Sequence, residues 1–330
     1  MISCSGLGVV GGLRGYGAFV TPTQLRAFSA VVRLGSVKDA AAELSVTEAA
    51  VSLHIGSLRK ELGDPLFTRT SSGLAFTPGG LRLARRSLEL LGLQDRTLRE
   101  VSQAGQGRRL LRLAASSLFS EYAAPGLIEL FTSRAKDLDV EMVVCHTHQF
   151  RSLLESRAVD VAIGPPAPAQ SELVVHEPFL QYEVIPVAGA PVGAGELAGC
   201  TWLLGPAAVG DDGVVPRALR HFAVPEGSQR IFQSSAAALD EAKRGNGIAL
   251  ALAFAVRSDL TSGALIAVAA PGFDGTGRWA ASTLPENHVP PAAAELIRFV
   301  RTPRAMTAML RGAGAPVGHF RPSVHITLWS

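Results

Sequence analysis

Three short runs carry residue types that could hold a small charged molecule: Ser116-Ser117, Cys145-His146-Thr147-His148 and Ser234-Ser235. The first pair closes the strand-like LLRLAAS (Leu110–Ser116) and precedes a helix expected to start near Leu118, and the last pair opens another helix. Hydroxyls beside the free N–H groups of a helix N-terminus favour an anion or a carboxylate. The middle run follows VEMVVC (Val140–Cys145), and ligands in open α/β sheets bind outside the carboxyl ends of strands. Ser116, Ser117, His146, Thr147, Ser234 and Ser235 are therefore the candidate ligand-binding residues. Plain helix capping is the alternative for each serine. CHTH could also offer two or three metal ligands, but no second cluster completes a tetrahedral set, so no metal is assigned. The eight histidines and scattered acids form no nucleophile–base–orienter set, so no catalytic residue and no cofactor is assigned. Asp211-Asp212, in a glycine-rich turn, reads as surface. Gly6, Gly8 and Gly11 spell a nominal G-x-G-x-x-G, yet only five residues precede Gly6, too few for the strand a dinucleotide site needs.

A second group of residues implies a different chemistry and a different scaffold. In TEAAVSLHIGSLRKELG (Thr47–Gly63), Val51, Ile55, Leu58 and Leu62 recur at helical spacing and mark a core face. The other face carries Glu48, Ser52, His54, Gly56, Arg59 and Lys60, neither densely charged nor apolar. Upstream, Thr23 to Arg33 predicts a helix with Leu25, Phe28 and Val32 on one side. Gly35 turns the chain, Ser36 caps a second helix through Leu44 with Asp39 in its first turn, and Ala40 to Ala42 permit close helix packing. Thr47 caps the next helix and Gly63 ends it. Two helices joined by so tight a turn fit a helix-turn-helix, with an ordinary helical hairpin of an enzyme as the alternative. DPLFTRTSSGLAFTPGG follows: Leu66-Phe67 and Leu74–Phe76 flank the polar turn Thr70–Gly73 as a small hairpin, with Arg69 beside its tip. Such a wing can reach a sugar–phosphate backbone. Thr77-Pro78 then starts a long helix to about Ala104. Leu81, Ala84, Leu88, Leu91 and Leu98 lie along it near a/d spacing, a seam for a partner helix or for the chain's own second domain.

QLRAF (Gln24–Phe28), GSVKDAAAELSVTEAAVS (Gly35–Ser52), LRKELGDPLFTR (Leu58–Arg69) and FTPGG (Phe76–Gly80) together resemble the DNA-binding domain of LysR-type transcriptional regulators. The resemblance implies that Thr47, Glu48, Ala49, Ser52 and Leu53 enter the major groove and specify bases, while Arg69, Ser71 and Ser72 hold phosphates. It also implies that the long helix pairs two subunits. The chain departs from the family pattern at Glu48, where glutamine is usual, at Leu53, where a polar or basic residue is usual, and at Gly56 and Ser57. These departures thin the expected phosphate grip.

Beyond the hinge GQGRR (Gly105–Arg109) the texture changes. LLRLAAS, VEMVVC and VDVAIG (Val159–Gly164) are strand-like with helices between them, as in a parallel α/β sheet. EVIPVAG (Glu183–Gly189) leads into a second α/β stretch, IFQSSAAALDEAKRGNGIALA (Ile231–Ala251) reads as strand, helix and strand, RWAASTL (Arg278–Leu284) as a returning crossover strand, and AAAELIRFVRT (Ala292–Thr302) as the last helix. This is similar to the family's effector domain, two lobes of periplasmic-binding-protein type. The expected organisation is an N-terminal extension (1–20), a winged helix-turn-helix (21–77), a linker helix and hinge (78–108), an effector domain (109–311) and a tail (312–330). Lobe I takes residues 109–184 and 282–311, and lobe II takes 185–281.

The whole chain agrees with this reading. It has 330 residues, 47% of them hydrophobic and 18% charged, enough for more than one packed domain. A formal charge of +3 identifies no partner, because a modest total can conceal local basic surface. Three cysteines, Cys4, Cys145 and Cys200, are too scattered for a disulfide framework, so a reducing cytoplasm is expected. The greasiest stretch, Gly247–Val256, is about half of the roughly 20 residues a membrane helix needs. The resemblance implies double-stranded DNA, a small anionic effector and a homodimer or tetramer as partners, allows RNA polymerase as another, and implies no enzyme activity. The competing readings are a ligand-binding or enzymatic α/β protein with a helical dimerisation segment, and a regulator with an unliganded cleft acting by oligomerisation alone.

Overall fold

The computed structural model describes residues 20–70, 73–105, 107–166, 173–193, 197–209, 213–285, 288–311 and 324–328. The chain divides into two units, the first ending at Asp95 and the second beginning at Arg96.

In the first unit, α1 (Pro22–Leu34), α2 (Val37–Glu43) and α3 (Glu48–Leu62) are each started by a hydroxyl. Thr21 accepts the Gln24 N–H while Gln24 Oε1 accepts the Thr21 N–H, a capping box that starts the helix one residue earlier than expected. Ser36 and Thr47 accept the Asp39 and Ala50 N–H groups at 3.2 Å. Leu25, Phe28 and Val31 meet Val51, Ile55 and Leu58 in one core, and buried Ala40 and Ala41 leave room for α2 beside them. Leu62, expected on the core face, is 40% exposed, because it lies in the last turn before the left-handed Gly63 and falls beyond the core's edge.

β1 (Phe67–Thr70) and β2 (Gly73–Phe76) form the hairpin, with Phe67 opposite Phe76. Phe67 stacks on Phe28 at 6.4 Å and meets Phe76 edge-on at 5.6 Å, which fixes the wing to the helical core. A polar clasp ties the same region to α4 (Pro78–Ala104). The Asp64 carboxylate accepts the Leu66 N–H at 2.6 Å and the Thr77 hydroxyl at 2.7 Å, and Thr77 in turn accepts the Gly80 N–H. A Cβ at Gly79 would lie 2.0 Å from Asp64 Oδ2, and one at Gly80 2.0 Å from the Leu66 carbonyl oxygen, so only glycine fits either place. The D-P-L-F and T-P-G-G runs are two halves of one joint.

The second unit contains β3 (Arg109–Ala115), α5 (Ser117–Tyr122), α6 (Ala124–Thr132), β4 (Leu138–Val144), α7 (Thr147–Glu155), β5 (Val161–Gly164) and β6 (Val175–Ala188). Next come β7 (Trp202–Leu204), α8 (Val214–His221), β8 (Gln229–Ile231), α9 (Ser235–Lys243), β9 (Ile248–Leu252), α10 (Arg257–Ser262), β10 (Ile266–Ala267) and β11 (Thr276–Thr283). α11 (Pro291–Val300), α12 (Pro303–Arg311) and β12 (Val324–Leu328) complete it. The strands run in the order β12-β4-β3-β5-β11-β6-β9-β7-β8, with β10 also on β6. Lobe I is the parallel set β12, β4, β3 and β5; in lobe II, β7 is parallel to β8 and to β9. β6 serves both lobes. It pairs antiparallel with β11 from Val175 to Glu183 and with β9 from Val184 to Ala188. The lobes are thus joined along a two-stranded ribbon rather than at single crossing points.

Trp279, fully buried where the β11 register shifts, packs against Phe119 at 5.2 Å, Tyr182 at 4.6 Å and Phe254 at 6.3 Å. Opposite, a Cβ at Gly277 would sit 2.3 Å from Tyr182 Cζ, so glycine makes room for that ring. Two expectations at the C-terminal end are corrected. α11 is not the last helix, because α12 follows and buries Ala305 and Met309. The stretch 312–330, expected as a tail, contributes β12, which runs parallel to β4 with Val324 opposite Val140. Its remaining residues, together with residues 1–19 and the glycines Gly6, Gly8 and Gly11, lie outside the described residues.

Candidate DNA-reading face and effector cavity

α3 offers one continuous exposed face. Thr47, Glu48, Ala49, Ser52 and Leu53 are all exposed, with Leu53 at 69%, while Val51, Ile55 and Leu58 are buried behind them. A leucine so exposed in the middle of a helix is notable only because the faces around it are small and polar. Arg59 is not part of this face. Its Nε donates to the Pro65 carbonyl and an Nη to the Phe67 carbonyl, both at 2.7 Å, and its guanidinium lies 4.7 Å from the Phe67 ring centroid. It anchors the wing to α3. Arg69 is exposed on β1, and Ser71 and Ser72 lie outside the described residues.

In the second unit a cavity of about 60 Å³ opens where β3, β4 and β5 end. Its lining includes Ser116, Ser117, Cys145, His146 and Thr147 from lobe I, and Ala207, Val209 and the start of α8 (Gly213 to Pro216) from lobe II. Gly164 brings β5 close: a Cβ there would lie 2.8 Å from Phe150 and 3.1 Å from Ser116 Cβ. The Ser116 N–H donates to the Ile163 carbonyl, and its Oγ is buried with no hydrogen-bond partner among the described residues. An unmet hydroxyl in a buried place costs about 1–3 kcal/mol unless a ligand or a water meets it. The N-termini of α7 and α8 reach the same cavity, and no acidic side chain lines it among the described residues. Burial pushes the Cys145 thiol up to about 11 and the Tyr182 phenol up to about 12, so neither adds negative charge at neutral pH.

The six residues singled out for ligand binding do not all meet. Ser116, Ser117, His146 and Thr147 line the cavity; Ser234 and Ser235 do not. The Ser234 hydroxyl caps its own helix, accepting the Ala237 N–H at 3.2 Å, and the Ser235 N–H donates to Glu121 Oε2 at 2.8 Å. Burial raises the Glu121 carboxyl above its usual value, opposed by the Ser235 N–H and hydroxyl. Leu118, Tyr182, Val209 and the α8 N-terminus also line the cavity and were not among the expected residues; for Val209 and α8 the glycine- and proline-rich run from Gly205 to Pro216 was the available signal. His146 and His148 stack at 5.6 Å, but no group of three or more His, Cys, Asp or Glu side chains could hold a metal ion among the described residues. Asp211 and Asp212 lie outside them.

Residues 22–81 match the bacterial regulatory helix-turn-helix proteins of the lysR family, and residues 104–303 match the LysR substrate binding domain. The chain belongs to the LysR family of transcriptional regulators. It is 54% identical over 321 residues to the uncharacterized HTH-type transcriptional regulator Rv0377 of Mycobacterium tuberculosis, covering 94% of this chain and 100% of that one. It is 26% identical over 260 residues to the regulator YeiE of Escherichia coli K12, covering 76% and 87%. The fold is similar to that of the full-length virulence activator AphB of Vibrio cholerae (TM-score 0.50, 18% identity, 85% of this chain and 98% of that one). It is equally similar to an OxyR mutant of Corynebacterium glutamicum (TM-score 0.50, 18% identity, 91% and 98%).

As in its family, this regulator is a DNA-binding protein with an effector-binding domain, and not an enzyme. Its linker helix α4 divides the expected seam. Ala84 and Leu91, with Leu83, pack on the core of the first unit, whereas Leu81, Leu88 and Leu98 are exposed. Leu90, Leu93 and Val101 are exposed too, and were not part of the expected seam. No helix among the described residues is long and apolar enough to cross a membrane.

Proposed function

We propose that this regulator reads operator DNA through the exposed face of α3 and is controlled by a small acid held in the cavity at the ends of β3 and β4. Thr47, Glu48, Ala49, Ser52 and Leu53 meet base edges, and Arg69 with the wing serines Ser71 and Ser72 holds phosphates. Two copies pair through the exposed leucines of α4, Leu81, Leu88 and Leu98, with tetramers built from such dimers. The effector sits against Ser116, Ser117, His146 and Thr147. The observation that carries this reading is the unmet Ser116 hydroxyl in a cavity that helix N-termini approach and no acid lines among the described residues. A volume of about 60 Å³ is well under the roughly 300 Å³ of a drug-sized site, so the ligand is a molecule of a few heavy atoms.

The mechanism is linkage: an acid that binds one arrangement of the lobes better than another shifts the population and, with it, operator affinity or contact with RNA polymerase. The setting is the cytoplasm, where the DNA and its metabolites meet. Ser117→Phe fills the cavity mouth and is expected to abolish the response of operator binding to small acids, read by fluorescence anisotropy. An undiminished response would place the effector elsewhere.

A further inference from the structure

Leu53 is 69% exposed in the middle of α3, more than any other large apolar side chain before Asp95 among the described residues. It cannot turn inward, because Val51, Ile55 and Leu58 hold the opposite face in the core. Ala49 and Gly56, one turn before it and one turn after, are exposed on the same face. Gly56 has ordinary helical backbone, and a Cβ there would meet nothing within 4 Å, so the chain's own packing does not require glycine. In a helix interior only proline is less favourable than glycine. A bare backbone is useful where another body must come close. The exposed leucine and the unforced glycine therefore point to one contact outside the chain.

Glu48 and Ser52 on this face can hydrogen-bond to base edges; Leu53 can neither donate nor accept. The floor of the major groove presents donors and acceptors, and its apolar group is the C5-methyl of thymine. We infer that Leu53 is a thymine reader: its side chain covers the C5-methyl of a thymine in the operator, and Gly56 lets α3 seat close enough to make that contact. This rests on the reading of α3 as the helix that meets base edges. Removing one methyl from water is worth about fourfold in affinity. The contact displaces no counterion, so it adds sequence preference without adding salt dependence.

The test uses the full-length chain and the duplex that wild type selects from a randomised pool, with each thymine replaced in turn by deoxyuridine, which removes only the methyl. Binding is read by fluorescence anisotropy. At one thymine or more, deoxyuridine is expected to weaken wild type about three- to fivefold and to leave Leu53→Ala nearly unmoved. The dependence of affinity on salt is expected to have the same slope in both proteins. Leu53→Met, which restores a long apolar side chain, is expected to regain the thymine preference. Gly56→Ala is expected to raise Tm and yet to weaken binding to the selected duplex about threefold or more. Deoxyuridine effects of equal size in wild type and Leu53→Ala, or none in either, would overturn the inference, and so would a Gly56→Ala protein with higher Tm and undiminished affinity. A changed oligomer of Leu53→Ala by light scattering, with its thymine preference intact, would make Leu53 a contact between copies and overturn it too. Ser52→Asp, which sets a charge beside Leu53, separates the two readings. If it leaves binding to the selected duplex intact, the reading of α3 fails; if it abolishes binding while deoxyuridine acts equally on wild type and Leu53→Ala, only the role of Leu53 fails.

Discussion

Glu48 stands exposed in the first turn of α3, where the family usually has glutamine, and its carboxylate can only accept hydrogen bonds. In a major groove that means chiefly the amino group of cytosine, while nearby phosphates repel it. Glu48→Gln is expected to bind DNA more tightly in general and to accept a wider or shifted set of sites, because a good base contact is worth about 1–3 kcal/mol. Randomised-site selection with both proteins checks this. Identical preferred sites and equal affinity would reduce Glu48 to a first-turn acid that favours the helix dipole. Glu121 makes a second prediction at this scale, one of pH. Its folded-state carboxyl titrates above the usual value because burial outweighs the Ser235 hydrogen bonds. Stability from this group is therefore fully present below the ordinary glutamate range and is lost as pH rises through the raised value. Glu121→Gln should melt above wild type at pH 7 to 8, and the gap should close towards pH 4. A gap that widened on acidification would mean that the carboxylate is held by favourable charge rather than tolerated.

The elements show why some of this was legible in the sequence. The caps at Ser36 and Thr47, the glycine stop at Gly63 and the tight turn between α2 and α3 are local, and local hydrogen bonds set them. The hairpin and the start of α4 were legible for the same reason, though the Asp64–Thr77–Gly80 clasp that joins them was not, since its Asp64–Thr77 bond joins residues 13 apart. Gly80→Ala is expected to cost about 1–3 kcal/mol, since the added methyl overlaps a backbone carbonyl that cannot swing aside. A drop of several degrees in Tm of the DNA-binding unit would show it, and an unchanged Tm would mean the clasp yields freely. Lobe II was read least well. β7 and β8 are three residues each and α8 follows a turn without periodicity, so their pairing depends on partners far away in the chain. The surroundings of Ser235 were illegible on the same ground: a helix N-terminus looks free in sequence, and only the fold brings Glu121 to it. On α4, the exposed Leu88, Leu90 and Leu93 are costly in water. Leu88→Glu with Leu93→Glu is expected to give monomers by light scattering and to weaken operator binding at least tenfold; an unchanged oligomer would remove α4 from the interface.

At the scale of the whole molecule, the reading proposed above gives the first unit a surface that meets DNA and the second a small cavity, with no acidic lining among the described residues, that takes a small acid. The two-stranded ribbon of β6 and β11, packed around Trp279, joins the lobes, and in the proposed mechanism it is the element that a ligand would bias. A coupling of the usual 1–3 kcal/mol between effector and operator corresponds to roughly a 5- to 150-fold change in affinity. The most direct measurement is operator affinity of the full-length regulator, titrated with monocarboxylic acids of two to six carbons, for wild type and for Ser116→Leu, each against its own acid-free value. At least one acid is expected to change wild-type affinity fivefold or more and to leave the Ser116→Leu protein unmoved. An acid response of equal size in both proteins, or none in wild type, would contradict control from this cavity.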